Sequence, residues 1–229
     1  MKNQTLKLYG LTIEQINAEL ENLNIDKKQV KTYVKEKYLD AFLYVEQKKD
    51  EEVFVKELAR IVSNFSKYIY ADRDISLYEK LHEVLEIRKK TICLMEQATG
   101  GIITSNLLAF DGAEKIVKAS YVMPSIKAMI DHFDLNPFKL TANHGVCGEI
   151  AFDIASHIRS RIPANFYVVC LSSLAEGNEL YYNGNMISYI AIGSELGVKI
   201  FKIEANSKKR DFMNQVAKTI CFKLINMLK

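Results

Sequence analysis

The reading of the fold turns on Thr91-Ile92-Cys93-Leu94-Met95-Glu96-Gln97-Ala98-Thr99-Gly100-Gly101. Thr91 to Glu96 is a short apolar run between the charged Arg88-Lys89-Lys90 and a pair of glycines, as expected of a buried strand. The glycines open a tight turn, and Ile102 to Phe110 continues at helical spacing. Downstream the alternation persists. Glu114 to Met123 is strand-like, and Pro124 to His132 is helical with proline in its first turn. Gly148 to Arg161 is a helix, and Asn165 to Leu171 an apolar strand. Met186–Gly193 and Val198–Glu204 form a hairpin around Ser194–Gly197, and Lys208 to Leu228 closes the chain as an amphipathic helix. Strands alternating with helices predict a three-layer α/β/α domain over residues 76–229.

Upstream the composition changes. Of ten glycines and three prolines, only Gly10 precedes residue 100. Residues 1–75 therefore lack the usual turn formers and are expected to be an all-α extension. Thr12-Ile13-Glu14-Gln15 is a capping box before Ile16, Leu20 and Leu23. Asp26 is expected to open a second helix to about Gln47, and Asp50 a third carrying Val53, Phe54, Leu58, Ile61, Val62 and Phe65. Ser76-Leu77-Tyr78-Glu79 caps a fourth helix, and Ala71–Asp74 marks the boundary.

The 229 residues carry 31 basic and 28 acidic side chains, and positions 1–76 carry 13 of each, so the composition offers no sign of a nucleic-acid partner. No stretch of about twenty apolar residues predicts a membrane span. The amino terminus has no apolar signal region. Cys93, Cys147, Cys170 and Cys221 are scattered without a CxxC pair, which points to free thiols in a cytoplasmic protein. No metal site and no cofactor are expected, since His82, His132, His144 and His157 have no ligand-like spacing.

A strand end followed by Thr-Gly-Gly and a helix start suits a ligand: glycines admit close approach, and free N–H groups favour phosphate or a developing oxyanion. A tight turn alone also explains the glycines. The surrounding residues add a resemblance. Leu81-x-x-Val84-Leu85 leading into Met95-Glu96-Gln97-Ala98-Thr99-Gly100-Gly101 resembles the Ala-Glu-Ser-Cys-Thr-Gly-Gly signature of the CinA carboxy-terminal domain, the nicotinamide-mononucleotide deamidase family. Ala119-Ser120-Tyr121 with Lys127 is similar to its Tyr-Ser-Asn-x-x-Lys segment, and His144 to Ala151 to its Gly-Ala-Val-Ser-Glu-Glu-Val-Ala helix start. The resemblance covers about residues 76–229.

The resemblance implies hydrolysis of the carboxamide of nicotinamide mononucleotide by a serine, with a lysine and a tyrosine assisting. Here the serine's position is Gln97, which cannot form an acyl-enzyme. Glu96, Thr99, Gly100, Gly101 and Lys127 match. The tyrosine falls on Val122 by counting back from Lys127, or on Tyr121 with a slip of one residue. The family's Thr-Gly-x-Ala-Gly-Pro loop reads Ser172-Ser173-Leu174-Ala175-Glu176-Gly177. The leading expectation is a pseudoenzyme that binds a nicotinamide-mononucleotide-like nucleotide through Glu96, Gln97, Thr99, Gly100, Gly101 and Tyr121, with Lys127 retained from the catalytic set.

Two alternatives stay open. One is an amidohydrolase with Cys147 as nucleophile beside His144, against the plainer reading of Cys147 as a helix cap. The other is an interaction protein working through residues 1–75. Tyr33, Tyr38, Phe42 and Tyr44, on the expected second helix, could stack a nicotinamide or adenine ring but at that spacing read as core or interface. Tyr181–Asn185 reads as a turn before a strand, in a connection that in the family lies near the substrate. The family also implies a homo-oligomer.

Overall fold

The computed structural model describes residues 2–25, 30–48, 50–142, 147–172 and 186–229. They divide into two compact units, Met1–Lys80 and Leu81–Lys229.

The first unit runs β1 (Asn3–Tyr9), α1 (Ile13–Asn22), β2 (Val30–Lys37), β3 (Asp40–Gln47), α2 (Glu51–Phe65) and β4 (Ile69–Ala71). The sheet order is β2-β3-β1-β4 with every neighbour antiparallel, the split β-α-β arrangement of ferredoxin-like folds. Of the three helices expected, those opened by Thr12 and Asp50 form. Thr12 and Gln15 close a reciprocal capping box on α1, and the Asp50 carboxylate accepts from the Glu52 and Val53 N–H groups at the start of α2. Their apolar faces meet one face of the sheet: Ile16, Leu20, Phe54, Ile61 and Phe65 pack with Leu6, Leu8, Ala41, Leu43 and Val45.

An all-α segment is not what forms here. The helix expected from Asp26 to Gln47 is instead the hairpin β2–β3, with β1 and β4 as further strands. Val30, Thr32, Tyr33 and Val34 are β-branched or aromatic and favour a pleated surface. Their apolar positions fit a helix and a strand alike. The turn that would have revealed the hairpin contains no glycine. Tyr38 and Leu39 take φ of 57° and 61° themselves, and the Leu39 N–H donates to the Glu36 carboxylate.

In the chain's second half, α3 (Leu77–Ile87) leads to β5 (Ile92–Glu96), α4 (Ile102–Leu107), α5 (Ala113–Ile116), β6 (Val117–Tyr121), α6 (Ile126–Phe133), α7 (Pro137–Ala142), α8 (Gly148–Arg161), β7 (Phe166–Ser172), β8 (Met186–Ser194), β9 (Gly197–Ala205) and α9 (Lys209–Leu228). The sheet order is β6-β5-β7-β8-β9, parallel through β6, β5 and β7 and antiparallel through β7, β8 and β9. Strand β5 is buried on both faces, as parallel strands between helix layers are. Cys93 and Met95 point to the layer of α6 and α8, with Met129, Phe133, Ile150 and Ile154. Ile92, Leu94 and Glu96 therefore face the other layer, where α4 and α9 touch. This is the three-layer α/β/α domain expected from the sequence. The segment read as one strand from Glu114 begins instead with the single turn α5.

Among the described residues no helix is long and apolar enough to cross a membrane.

Candidate functional site

The carboxyl end of β5 carries the residues singled out by the sequence. Glu96 is fully buried, and its carboxylate accepts four hydrogen bonds. Oε2 accepts from the Thr99 hydroxyl at 2.6 Å and the Ile103 N–H at 2.9 Å. Oε1 accepts from the Thr104 N–H at 2.8 Å and its hydroxyl at 2.5 Å. The acid of the strand end thus caps α4, a helix whose own N-cap, Gly101, has no side chain to do so. Thr104 passes the network on to the Ser120 hydroxyl on β6, 2.5 Å away. Thr99 lies 3.4 Å from the Cys170 thiol on β7. Burial, and then the nearby Glu96 charge, push that thiol up to about 12. Burial likewise raises Cys93 and Cys221, so these three thiols stay protonated and inert.

Gln97 has a different role. Its Nε2 donates to the Ser172 carbonyl at 3.0 Å, and its Oε1 accepts from the Ser172 N–H at 2.6 Å. The side-chain amide copies a peptide group and ties the end of β5 to the end of β7. The turn beyond it is left-handed at Gly100 and Gly101, with φ of 61° and 89°. A Cβ at Gly100 would come 3.1 Å from Met213 Cε, and one at Gly101 3.2 Å from Val122 Cγ2. Glycine is required here by conformation and by crowding together.

The remaining sequence-derived residues fall in different places. Val122, one of the two positions matched to the family's tyrosine, abuts Gly101 and is 52% exposed. Tyr121, the other, turns to the opposite face of β6 and packs against His132 and Phe133, with ring centroids 5.1 and 5.5 Å away. Lys127 is exposed in the first turn of α6, which Ser125 caps. Cys147 is the N-cap of α8, half-buried, and its thiol makes no capping hydrogen bond. His144, Ser173–Gly177 and Tyr181–Asn185 lie outside the described residues.

Thr104 and Cys170 are partners the sequence reading missed. Glu96 and Thr104 are eight residues apart, and only the turn between strand and helix brings them together. Among the described residues no group of three or more His, Cys, Asp or Glu side chains is placed to hold a metal ion.

Comparison with known proteins gives the family and the fold. Residues 74–228 match the family model described as the CinA C-terminal domain. A CinA-like protein of Prochlorococcus marinus is 29% identical over 121 residues, covering 53% of this chain and 28% of that protein. A CinA-like protein of Petrotoga mobilis is 24% identical over 180 residues, covering 75% of this chain and 42% of its own length. That share is more than residues 74–229 contain, so the likeness reaches back into the first unit. The chain spans less than half the length of these relatives. In fold, the crystal structure of a competence or damage-inducible protein from Enterobacter asburiae superposes with a TM-score of 0.60 at 17% identity, covering 67% of this chain and 96% of that one.

Proposed function

Since this chain belongs to the CinA C-terminal domain family, we propose that it is a binding member of the family that has set aside the serine amidohydrolase route. Its ligand is a nicotinamide-mononucleotide-like nucleotide taken up at the turn Gln97–Gly101. One observation carries the reading: the nucleophile's position holds Gln97, and both ends of its amide are engaged by the Ser172 backbone. A carboxamide so held offers no hydroxyl or thiol that a base could activate for attack. The neighbouring carboxylate is also engaged, because Glu96 accepts from the Ile103 and Thr104 N–H groups at the start of α4 and from the Thr99 and Thr104 hydroxyls.

Calorimetry with nicotinamide mononucleotide, run beside an ammonia-release assay, tests this. Heat of binding without ammonia is the expected result. Ammonia release overturns the binding-only reading, and absence of binding removes the nucleotide.

A second reading has one observation in its favour. Cys147 is half-buried at the start of a 14-residue helix while the other three thiols are buried. As nucleophile it would react with iodoacetamide faster than a model thiol, and Cys147→Ala would abolish any ammonia release.

A further inference from the structure

The hairpin that replaces the expected helix changes where the charges and rings of residues 30–47 lie. On a helix they would be spread around the axis; on strands every second residue shares a face. One face of the four-stranded sheet is covered by α1 and α2 through Leu6, Leu8, Val34, Ala41, Leu43 and Val45. The opposite face therefore carries Lys31, Tyr33, Lys35 and Lys37 on β2, Phe42, Tyr44 and Glu46 on β3, and Thr5 and Lys7 on β1. Register sets them in rows: Tyr33 stands opposite Tyr44, which faces Thr5, and Lys35 stands opposite Phe42, which faces Lys7.

The rings have an unusual disposition for a core. Phe42 and Tyr44 lie with planes 5° apart and centroids at 6.3 Å, side by side along one strand. Tyr33 beside them is 55% exposed. The Lys7 ammonium sits 5.9 Å from the Phe42 ring centre and is balanced by Asp40 and Asp74, each at 3.6 Å. Lys31 reaches Glu46 at 3.7 Å, and Lys31, Lys35 and Lys37 are all exposed. A unit with equal numbers of acids and bases thus presents a face on which four strand lysines, Lys7, Lys31, Lys35 and Lys37, meet three carboxylates, those of Asp40, Glu46 and Asp74, with the exposed excess on β2.

We propose that this face binds single-stranded nucleic acid, with bases stacked on Tyr33, Tyr44 and Phe42 and the phosphate backbone along the lysines of β2. Exposed Tyr33 and the half-exposed rings of Phe42 and Tyr44 can each accept a base by its π-face, and the exposed lysines of β2 neutralise phosphates. A duplex offers no free base faces, so single strands are preferred. This site lies in the first unit and stands apart from the nucleotide reading of the Gln97–Gly101 turn.

Fluorescence anisotropy of a labelled ten-nucleotide oligothymidine and its oligouridine equivalent, titrated with the full chain at low and raised salt, provides the test. Binding is expected to weaken with salt, and Lys35→Gln to reduce the log–log slope by about 0.7. Tyr33→Ala and Tyr44→Ala should each weaken binding about fivefold or more, while Tyr33→Phe keeps it. Tyr33 is exposed, so its replacement spares the fold, and a matching circular-dichroism melt verifies that. No binding by the wild type at low salt overturns the proposal, as does unchanged affinity in Tyr33→Ala. Equal affinity for a duplex of the same length, or a self-association that Tyr33→Ala abolishes, also overturns it.

Discussion

Glu96 and Gln97 are adjacent, and the sequence singles both out as candidate ligand residues, but their structural tasks were not legible in it. A carboxylate and a carboxamide at a strand end read as ligand groups because ligands bind at such ends. What decides their role is the set of donors and acceptors that the turn folds onto them, and those come from residues 99, 103, 104 and 172. Glu96→Ala leaves the Thr99 and Thr104 hydroxyls and two N–H groups without their acceptor. It is expected to cost about 3 kcal/mol, measured by urea unfolding. Glu96→Gln fits the space but turns an NH2 toward donors, so it should recover little of that loss. Gln97→Ala removes two hydrogen bonds at the sheet margin and should cost about 1–2 kcal/mol in the same measurement.

Elements were legible where their end signals are local. Thr12, Asp50 and Ser76 each announce a helix through a side chain that bonds two or three residues ahead, and each helix forms there, whereas Pro124, expected in the first turn of its helix, precedes the Ser125 cap. The strand β5 was legible for a similar reason, since its apolar run is bounded by charge and by glycine. The hairpin β2–β3 was not, because its turn uses Tyr38 and Leu39 at positive φ, where glycine or asparagine is the usual mark. Left-handed backbone costs a branched or bulky residue about 1 kcal/mol. Leu39→Gly should therefore raise stability by about that amount in chemical denaturation. Gly101→Ala should do the opposite: conformational strain and the Val122 contact together are expected to remove about 2 kcal/mol and to lower the melting temperature.

At the scale of the whole molecule, buried thiols make stability depend on alkalinity. The folded chain holds Cys170 protonated up to about 12, against an ordinary 9.0. Above pH 9 the unfolded chain releases this proton while the folded chain keeps it, so stability falls as pH rises from 9 toward 12. The slope is about 1.4 kcal/mol per pH unit from this group. Cys170→Ala should show a shallower decline in melting temperature over that window. Charge at this scale was legible only as a sum: 13 acids and 13 bases in residues 1–76 concealed a face, because composition carries no geometry until strand or helix is decided. The amide of Gln97 has a last consequence for substitution. It is a rung between two strand ends, reaching both the N–H and the carbonyl of Ser172. The change Gln97→Ser would place a hydroxyl there and at once remove both bonds, loosening the margin where β5 and β7 end. Any shorter side chain at this position gives up the same two bonds.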